Sequence, residues 1–372
     1  MKKYLKNLNF ISICFLVSLA EVVILYSFPI ILYNGYKNII FVGLILALKP
    51  LFQCLGILLL RRVKDKIKIY LLFLVGFSLF FILVILFNKI DNILILPVIL
   101  LLLGLATGLF EIGKMAFIKE KLAIAWSSDL FRVVSVVNIL SFVIAPLFTT
   151  GLIINEDYNG VFSFFAVLIA VSGIIFYFGL RRIEKTLPSI YAQIHEKTLF
   201  TFDVFYIEII KAGVMLIVPL YVINFFPQDN NLIFAIPIFF IPSLIIRIFF
   251  RVFKVNFRNI NGIIRNLALC MALFLFFFNQ SNGFFLVAIA ILGFVVALIE
   301  NEAKYQENIK NRYLSYYYSI SVVGIVGVVL MGFLSYFYNI NLSFSIIGVL
   351  ILVLEIIISI RKLFLQRKNI SK

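Results

Sequence analysis

The sequence predicts an all-α integral membrane protein with 12 transmembrane helices in two pseudo-symmetric six-helix halves. Three observations lead there. Of 372 residues, 63% are hydrophobic and only 13% are charged, whereas a soluble globule carries about 25% charge. The apolar residues gather into twelve runs close to the ~20 residues that a helical span needs. Finally, intramembrane landmarks recur at an offset of about 190 residues, which is the mark of a repeated architecture. Glu21 precedes Pro29 by eight residues, as Lys211 precedes Pro219. Gly104 precedes Glu111 by seven, as Gly293 precedes Glu300, and Arg62-Val63 returns as Arg251-Val252.

The first six spans run near Phe10 to Tyr33, Ile39 to Leu60, Ile69 to Phe87, Ile93 to Met115, Leu130 to Ile154 and Val161 to Leu180. The second six run near Val204 to Phe226, Leu232 to Phe253, Ile263 to Phe278, Phe284 to Glu300, Tyr313 to Tyr338 and Phe344 to Phe364. Span one is too long for a signal-peptide core and lacks a small-residue cleavage site, so it is read as a retained span. The halves are residues 1–180 and 204–372, joined by a polar linker over 181–203. An amphipathic helix is expected around Ile190 to Leu199, and His195, the single histidine, reads as a solvated linker residue.

A formal charge of +16 suggests nucleic acid on a soluble protein. Its distribution excludes that reading. Every second inter-span loop is basic, and these loops with the two termini hold 27 of the 33 Lys and Arg. The opposite loops hold only Lys37 and Lys89. This is the positive-inside pattern, and it places both termini in the cytoplasm of a cell-membrane protein. Cys14, Cys54 and Cys270 lie in apolar runs without metal-ligand spacing and read as small hydrophobes. The tyrosine cluster Tyr313, Tyr316, Tyr317 and Tyr318 opens span eleven and reads as an interfacial aromatic belt.

Three local patterns add to the architecture. Span two ends in Gly56-Ile57-Leu58-Leu59-Leu60-Arg61-Arg62-Val63-Lys64, span one carries Glu21 and Pro29, and span five reads Ser141-x-x-x-Ala145-Pro146-x-x-Thr149-Thr150-Gly151. With twelve spans and a long central loop, the chain resembles the major facilitator superfamily over nearly its whole length. The first pattern is similar to that family's loop motif, with Leu60 in place of the aspartate and Val63 in place of the second glycine. The second is similar to the acid-then-proline pattern of drug exporters, and the third to the exporters' antiporter motif. The resemblance implies a gating role around Gly56, Arg61 and Arg62. It implies helix packing through the small residues around Pro146 and Gly151, where proline also bends a helix. It further implies a central cavity lined by spans one, four, seven and ten.

Charges inside the spans are the strongest candidates for a site, because each costs roughly 2.5 to 3.5 kcal/mol at mid-bilayer. Span four carries Glu111 and Lys114, span seven carries Glu208 and Lys211, and span ten ends with Glu300 followed by Lys304. Spacings of three and four put each pair on one helix face. Pairing alone would neutralise them, and Glu300 with Lys304 also suits the cytoplasmic interface. Glu21 has no lysine within four residues, and Lys49 beside Pro50 and Gln53 is its nearest candidate partner. Glu21 is expected to carry a coupling proton, with Lys211 alternating as counter-ion. Arg247 and Glu355 receive no role beyond pairing.

The leading expectation is therefore a secondary active transporter: proton-coupled export of a hydrophobic or amphipathic solute by alternating access. Few cavity Asn and Gln are foreseen beyond Gln53 and Asn138, which weighs against a sugar substrate. An uptake carrier of the same fold and a lipid-linked flippase stay open. Short outer loops and one histidine argue against an enzyme, and no Gly-Lys-Ser/Thr phosphate loop offers direct ATP drive. No cofactor is expected. The expected partners are membrane lipids, a small-molecule substrate and H+, with the chain acting as a monomer.

Overall fold

Each apolar run becomes a helix, since in lipid only internal hydrogen bonding satisfies the backbone. The computed structural model describes residues 2–62, 68–87, 94–122, 127–155, 157–179, 202–225, 234–253, 262–278, 281–300 and 313–370. The linker, with His195 and the expected helix around Ile190 to Leu199, falls outside them.

The order is α1 (Lys2–Tyr36), α2 (Ile39–Leu46), α3 (Leu48–Arg62), α4 (Ile69–Phe87), α5 (Ile95–Leu122), α6 (Ser127–Ile154) and α7 (Tyr158–Gly179). Then come α8 (Phe202–Phe225), α9 (Ala235–Phe253), α10 (Gly262–Phe274) with a 3₁₀ turn (Leu275–Phe278), α11 (Asn282–Glu300), α12 (Tyr313–Phe337) and α13 (Ile340–Ile370). Among the described residues, eight stretches are long and apolar enough to cross a membrane, and three shorter apolar helices accompany them. The protein is thus a multi-pass membrane protein. Ile85, Phe178 and Met271 are exposed at 65%, 77% and 71%. Apolar surface of that kind marks contact with lipid.

Span two is divided at Ala47, where α2 gives way to α3. Pro50 has no N–H to offer the carbonyl one turn earlier, which breaks the regular ladder. Ala47 and Leu51 still donate to Gly43 and Ala47 at 3.0 and 3.1 Å, so the span stays continuous. Before it, Lys37 ends α1 in the left-handed region at φ 51. Asn38 then caps α2, its Oδ1 accepting from the Ile40 and Phe41 amides at 2.9 and 3.3 Å.

Packing repeats with the sequence offset. The α3–α5 and α1–α6 pairs recur as α9–α11 and α8–α12, and α4–α5 recurs as α10–α11. Two glycines show why. Gly104 on α5 lies against the Lys49 backbone of α3, and Gly293 on α11 lies against the Phe239 backbone of α9. At either position a methyl would collide with a carbonyl oxygen rather than with a movable side chain. Across the bundle, α2 and α3 pack on α12, α6 packs on α9, and α1 packs on α8. The α2–α12 crossing is another close glycine approach. A Cβ built on Gly43 would stand 3.3 Å from Gly332 Cα and 3.1 Å from the Val328 carbonyl oxygen.

Around Pro146, α6 remains helical. Thr150 bonds the Pro146 carbonyl at 2.6 Å and the Tyr26 hydroxyl at 2.9 Å, and Ser141 reaches the Phe15 carbonyl at 3.4 Å. The α1–α6 approach is therefore made by Ser141 and Thr150. A methyl on Gly151 would meet nothing within 4 Å, so the close approach that the span-five pattern suggests does not fall there. Gly56 makes ordinary contact with Leu105 at 3.8 Å. The side chains of Arg61 and Arg62 lie outside the described residues.

Overpacking of this kind costs about 1–3 kcal/mol. Gly104→Ala and Gly293→Ala are each expected to lower thermal stability of the purified protein by that amount. Gly151→Ala, in open space, should gain up to about 1 kcal/mol from helix propensity. Equal behaviour of the three variants in a melting experiment would remove this account of the packing.

Candidate functional site

A cavity of about 400 Å³ lies where the two sets of helices face one another. Its wall includes Glu21 (α1), Lys49 and Gln53 (α3), Glu111 and Lys114 (α5), Asn138 and Phe142 (α6), Glu208 and Lys211 (α8). The wall also includes Phe240, Ser243 and Arg247 (α9), Glu300 (α11) and Tyr317 (α12). Leu25, Met115, Phe131 and Met215 contribute apolar surface. Glu21, Lys49, Glu111, Lys114, Glu208 and Lys211 thus line one space. Its described lining holds four carboxylates and four cations.

The first cluster joins α1 and α3. Lys49 Nζ donates to Glu21 Oε1 at 2.5 Å, with side-chain exposures of 12% and 19%. Lys49 is thus the partner of Glu21, as the sequence suggested. Gly104 fixes the Lys49 backbone from behind, so the pair is held in place by helix packing.

The second cluster lies on α5. Lys114 donates to Glu111 one turn away, and both are buried. Asn138 completes it when its amide is oriented to satisfy both ends. Its oxygen then accepts from Lys114 at 3.2 Å, and its nitrogen donates to Ser18 Oγ at 2.9 Å and the Val134 carbonyl at 3.2 Å. These contacts surround a lysine that is 2% exposed.

The third cluster differs from the sequence reading. Glu300 is buried in the cavity, and it is bonded to Lys211, to Ser243 at 3.1 Å and to Arg247 at 3.3 Å. These contacts place Glu300 in the cavity wall rather than at the interface; Lys304 lies outside the described residues. Lys211 also pairs with Glu208 at 3.5 Å, so in this structure it serves the carboxylates of α8 and α11. The offset explains the difference. The residue that copies Lys114 is Ala303, so Glu300 finds no base on its own helix at that position. Lys211, the copy of Glu21, supplies it instead.

Sequence reading gave Arg247 no role beyond pairing, placed Tyr317 in an interfacial belt and passed over Ser243. Phe240, Ser243 and Arg247 fall at i, i+3 and i+7, one helix face, and that spacing was the available signal. Tyr317 bonds Gln53 and lines the cavity, so it is not part of an interfacial belt. Tyr313 and Tyr316 side chains lie outside the described residues. Cys14, Cys54 and Cys270 are buried and, among the described residues, not joined in disulfides.

The fold has solved counterparts. The crystal structure of the human organic anion transporter MFSD10 (TETRAN) matches with a TM-score of 0.63 at 13% identity, covering 95% of this chain and 98% of that one. A bacterial homologue of the human drug peptide transporters PepT1 and PepT2 matches with a TM-score of 0.70 at 12% identity, covering 98% and 99%. No family model matches the sequence, and no curated protein matches it significantly. The chain shares the fold of these two solved structures.

Removing one partner of a buried ion pair costs about 3–5 kcal/mol, because the other charge is left uncompensated. Lys114→Met is expected to lose stability on that scale. The double variant Glu111→Gln, Lys114→Met should recover most of it. A double-mutant cycle by thermal unfolding checks this, and additive losses would contradict a coupled pair.

Proposed function

We propose that the chain is a proton-coupled secondary transporter that exports a hydrophobic or amphipathic organic solute. It works by alternating access between two six-helix halves and acts as a monomer in the cell membrane, with both termini cytoplasmic. One observation carries the reading: a charge-balanced, largely apolar cavity lies between the two helix sets, and its Glu21–Lys49 pair is split between two helices. A purely structural pair would sit well on one helix, as Glu111 and Lys114 do.

The chemistry follows from that geometry. Intramembrane acids facing a cavity are the usual proton relays of transporters. When Glu21 takes a proton, Lys49 loses its counter-charge in a cavity that Glu208 also lines. The released ammonium then pulls α3 toward α8 across the cavity, and deprotonation restores the Glu21 pair. Lys49 is thus the alternating counter-ion, while Lys211 remains with Glu208 and Glu300.

The aromatic and aliphatic lining suits an apolar solute body. The compared proteins are an organic anion transporter and a homologue of drug peptide transporters, which supports an organic solute here. Outward direction is favoured by the exporter-like patterns in spans one and five.

The test starts with a growth-protection screen for solutes in a pump-deficient host, with a protonophore control. Purified protein in proteoliposomes with an internal pH dye then reports solute-driven proton movement. Glu21→Gln is expected to reduce that movement to the level of empty vesicles while solute binding persists. Undiminished proton movement in Glu21→Gln would remove the assignment.

A further inference from the structure

Arg247 is the cavity cation with the most unused hydrogen-bonding capacity. A guanidinium offers five donors in a planar fork and pairs best with a bidentate anion. Among the described residues Arg247 makes a single hydrogen bond, from one Nη to Glu300 at 3.3 Å. Its Nε is buried without a partner. Glu300 is in the opposite position, since Lys211 and Ser243 also donate to it. The other cations are committed more closely: Lys49 is 2.5 Å from Glu21, and Lys114 is enclosed with Glu111 and Asn138.

The same helix face continues into an apolar clamp. Phe240 lies two turns before Arg247 and stacks on Phe142 of α6, with ring centroids 4.5 Å apart and planes inclined by 27°. Both rings line the cavity. Seven residues at 1.5 Å rise set the clamp about 10 Å from Arg247 along α9.

Resting on the transport reading above, we infer that this face of α9 is an anion subsite. Arg247 takes the carboxylate or sulfonate of an amphipathic organic anion, and Phe142 and Phe240 hold its apolar body about 10 Å away. Glu300 and Ser243 are positioning residues that hold the guanidinium toward the cavity.

The test compares 6-phenylhexanoate with its uncharged amide, 6-phenylhexanamide. The two differ only at the head group, and their chain spans a comparable length. Equilibrium binding to the purified full chain in lipid nanodiscs is measured for wild type, Arg247→Gln and Arg247→Lys. Wild type is expected to favour the acid by about ten- to hundredfold, the range of a charged hydrogen-bonded pair. Arg247→Gln should lose that preference while keeping wild-type affinity for the amide, which also shows that it folds. Glu300 stays bonded to Lys211 and Ser243 in that variant. Arg247→Lys should retain part of the preference. Equal binding of acid and amide to wild type, binding of neither, or an acid preference that survives in Arg247→Gln overturns the subsite. Any of these results combined with intact Glu21-dependent proton movement removes the subsite alone. Loss of the Glu21 dependence with the acid preference intact removes the coupling alone.

Discussion

A charge in a low-dielectric interior must have a partner, and that constraint organises the centre of this protein. Taking an ion out of water costs several kcal/mol even after relaxation, so each of the four cavity carboxylates is held by a cation. The partners set which helices must face one another. Glu21 needs α3 close to α1, and Glu300 needs both α8 and α9 close to α11. Gly104 and Gly293 supply the close backbone approach that puts α3 and α9 at the cavity wall. The apolar packing follows the same plan, with aromatic stacks such as Phe10 on Phe117 and Phe276 on Phe344 away from the charges.

The internal repeat gives this arrangement its asymmetry. Both halves carry the glycine and glutamate at the same spacing, yet the two glutamates are neutralised differently. Position 21 is an acid, so Glu111 relies on its own Lys114. Position 211 is a lysine, and position 303, the copy of Lys114, is an alanine. Glu300 therefore draws its cations from other helices. One half holds a sealed pair plus a pair split between helices, and the other holds an open cluster of two acids and two bases. On the proposed function, that division places the proton switch with the Glu21–Lys49 pair and leaves Arg247 as a cation with spare donors.

Much of this was legible from residues alone, for identifiable reasons. Lipid requires spans of a set length, so the helices were read with boundaries a few residues off; α1 starts at Lys2 instead of near Phe10. Pairs such as Glu111 with Lys114 were readable because helical spacing fixes their contact. Glu21 with Lys49 followed from the need for a partner and the lack of one nearby. The partners of Glu300 were not readable, because a sequence-local lysine, Lys304, competed with tertiary neighbours 89 and 53 residues away. Tyr317 was assigned to the membrane surface by its clustering, although tertiary packing turns it to Gln53. Gly151 looked like a packing residue because the pattern around it did, but the approach falls on Ser141 and Thr150.

The central claim is that one charged cavity is exposed alternately on the two faces of the membrane. Gly43 and Gly332 approach closely near the turns opposite the basic loops, so on the alternating-access reading this crossing parts when the cavity opens outward. Cysteines introduced as Gly43→Cys and Gly332→Cys, with Cys14, Cys54 and Cys270 replaced by serine, stand within disulfide reach. The most direct measurement is solute transport in proteoliposomes before oxidation, after oxidation and after reduction. The account predicts that the cross-link stops transport and that reduction restores it. Full transport by the cross-linked protein would contradict it.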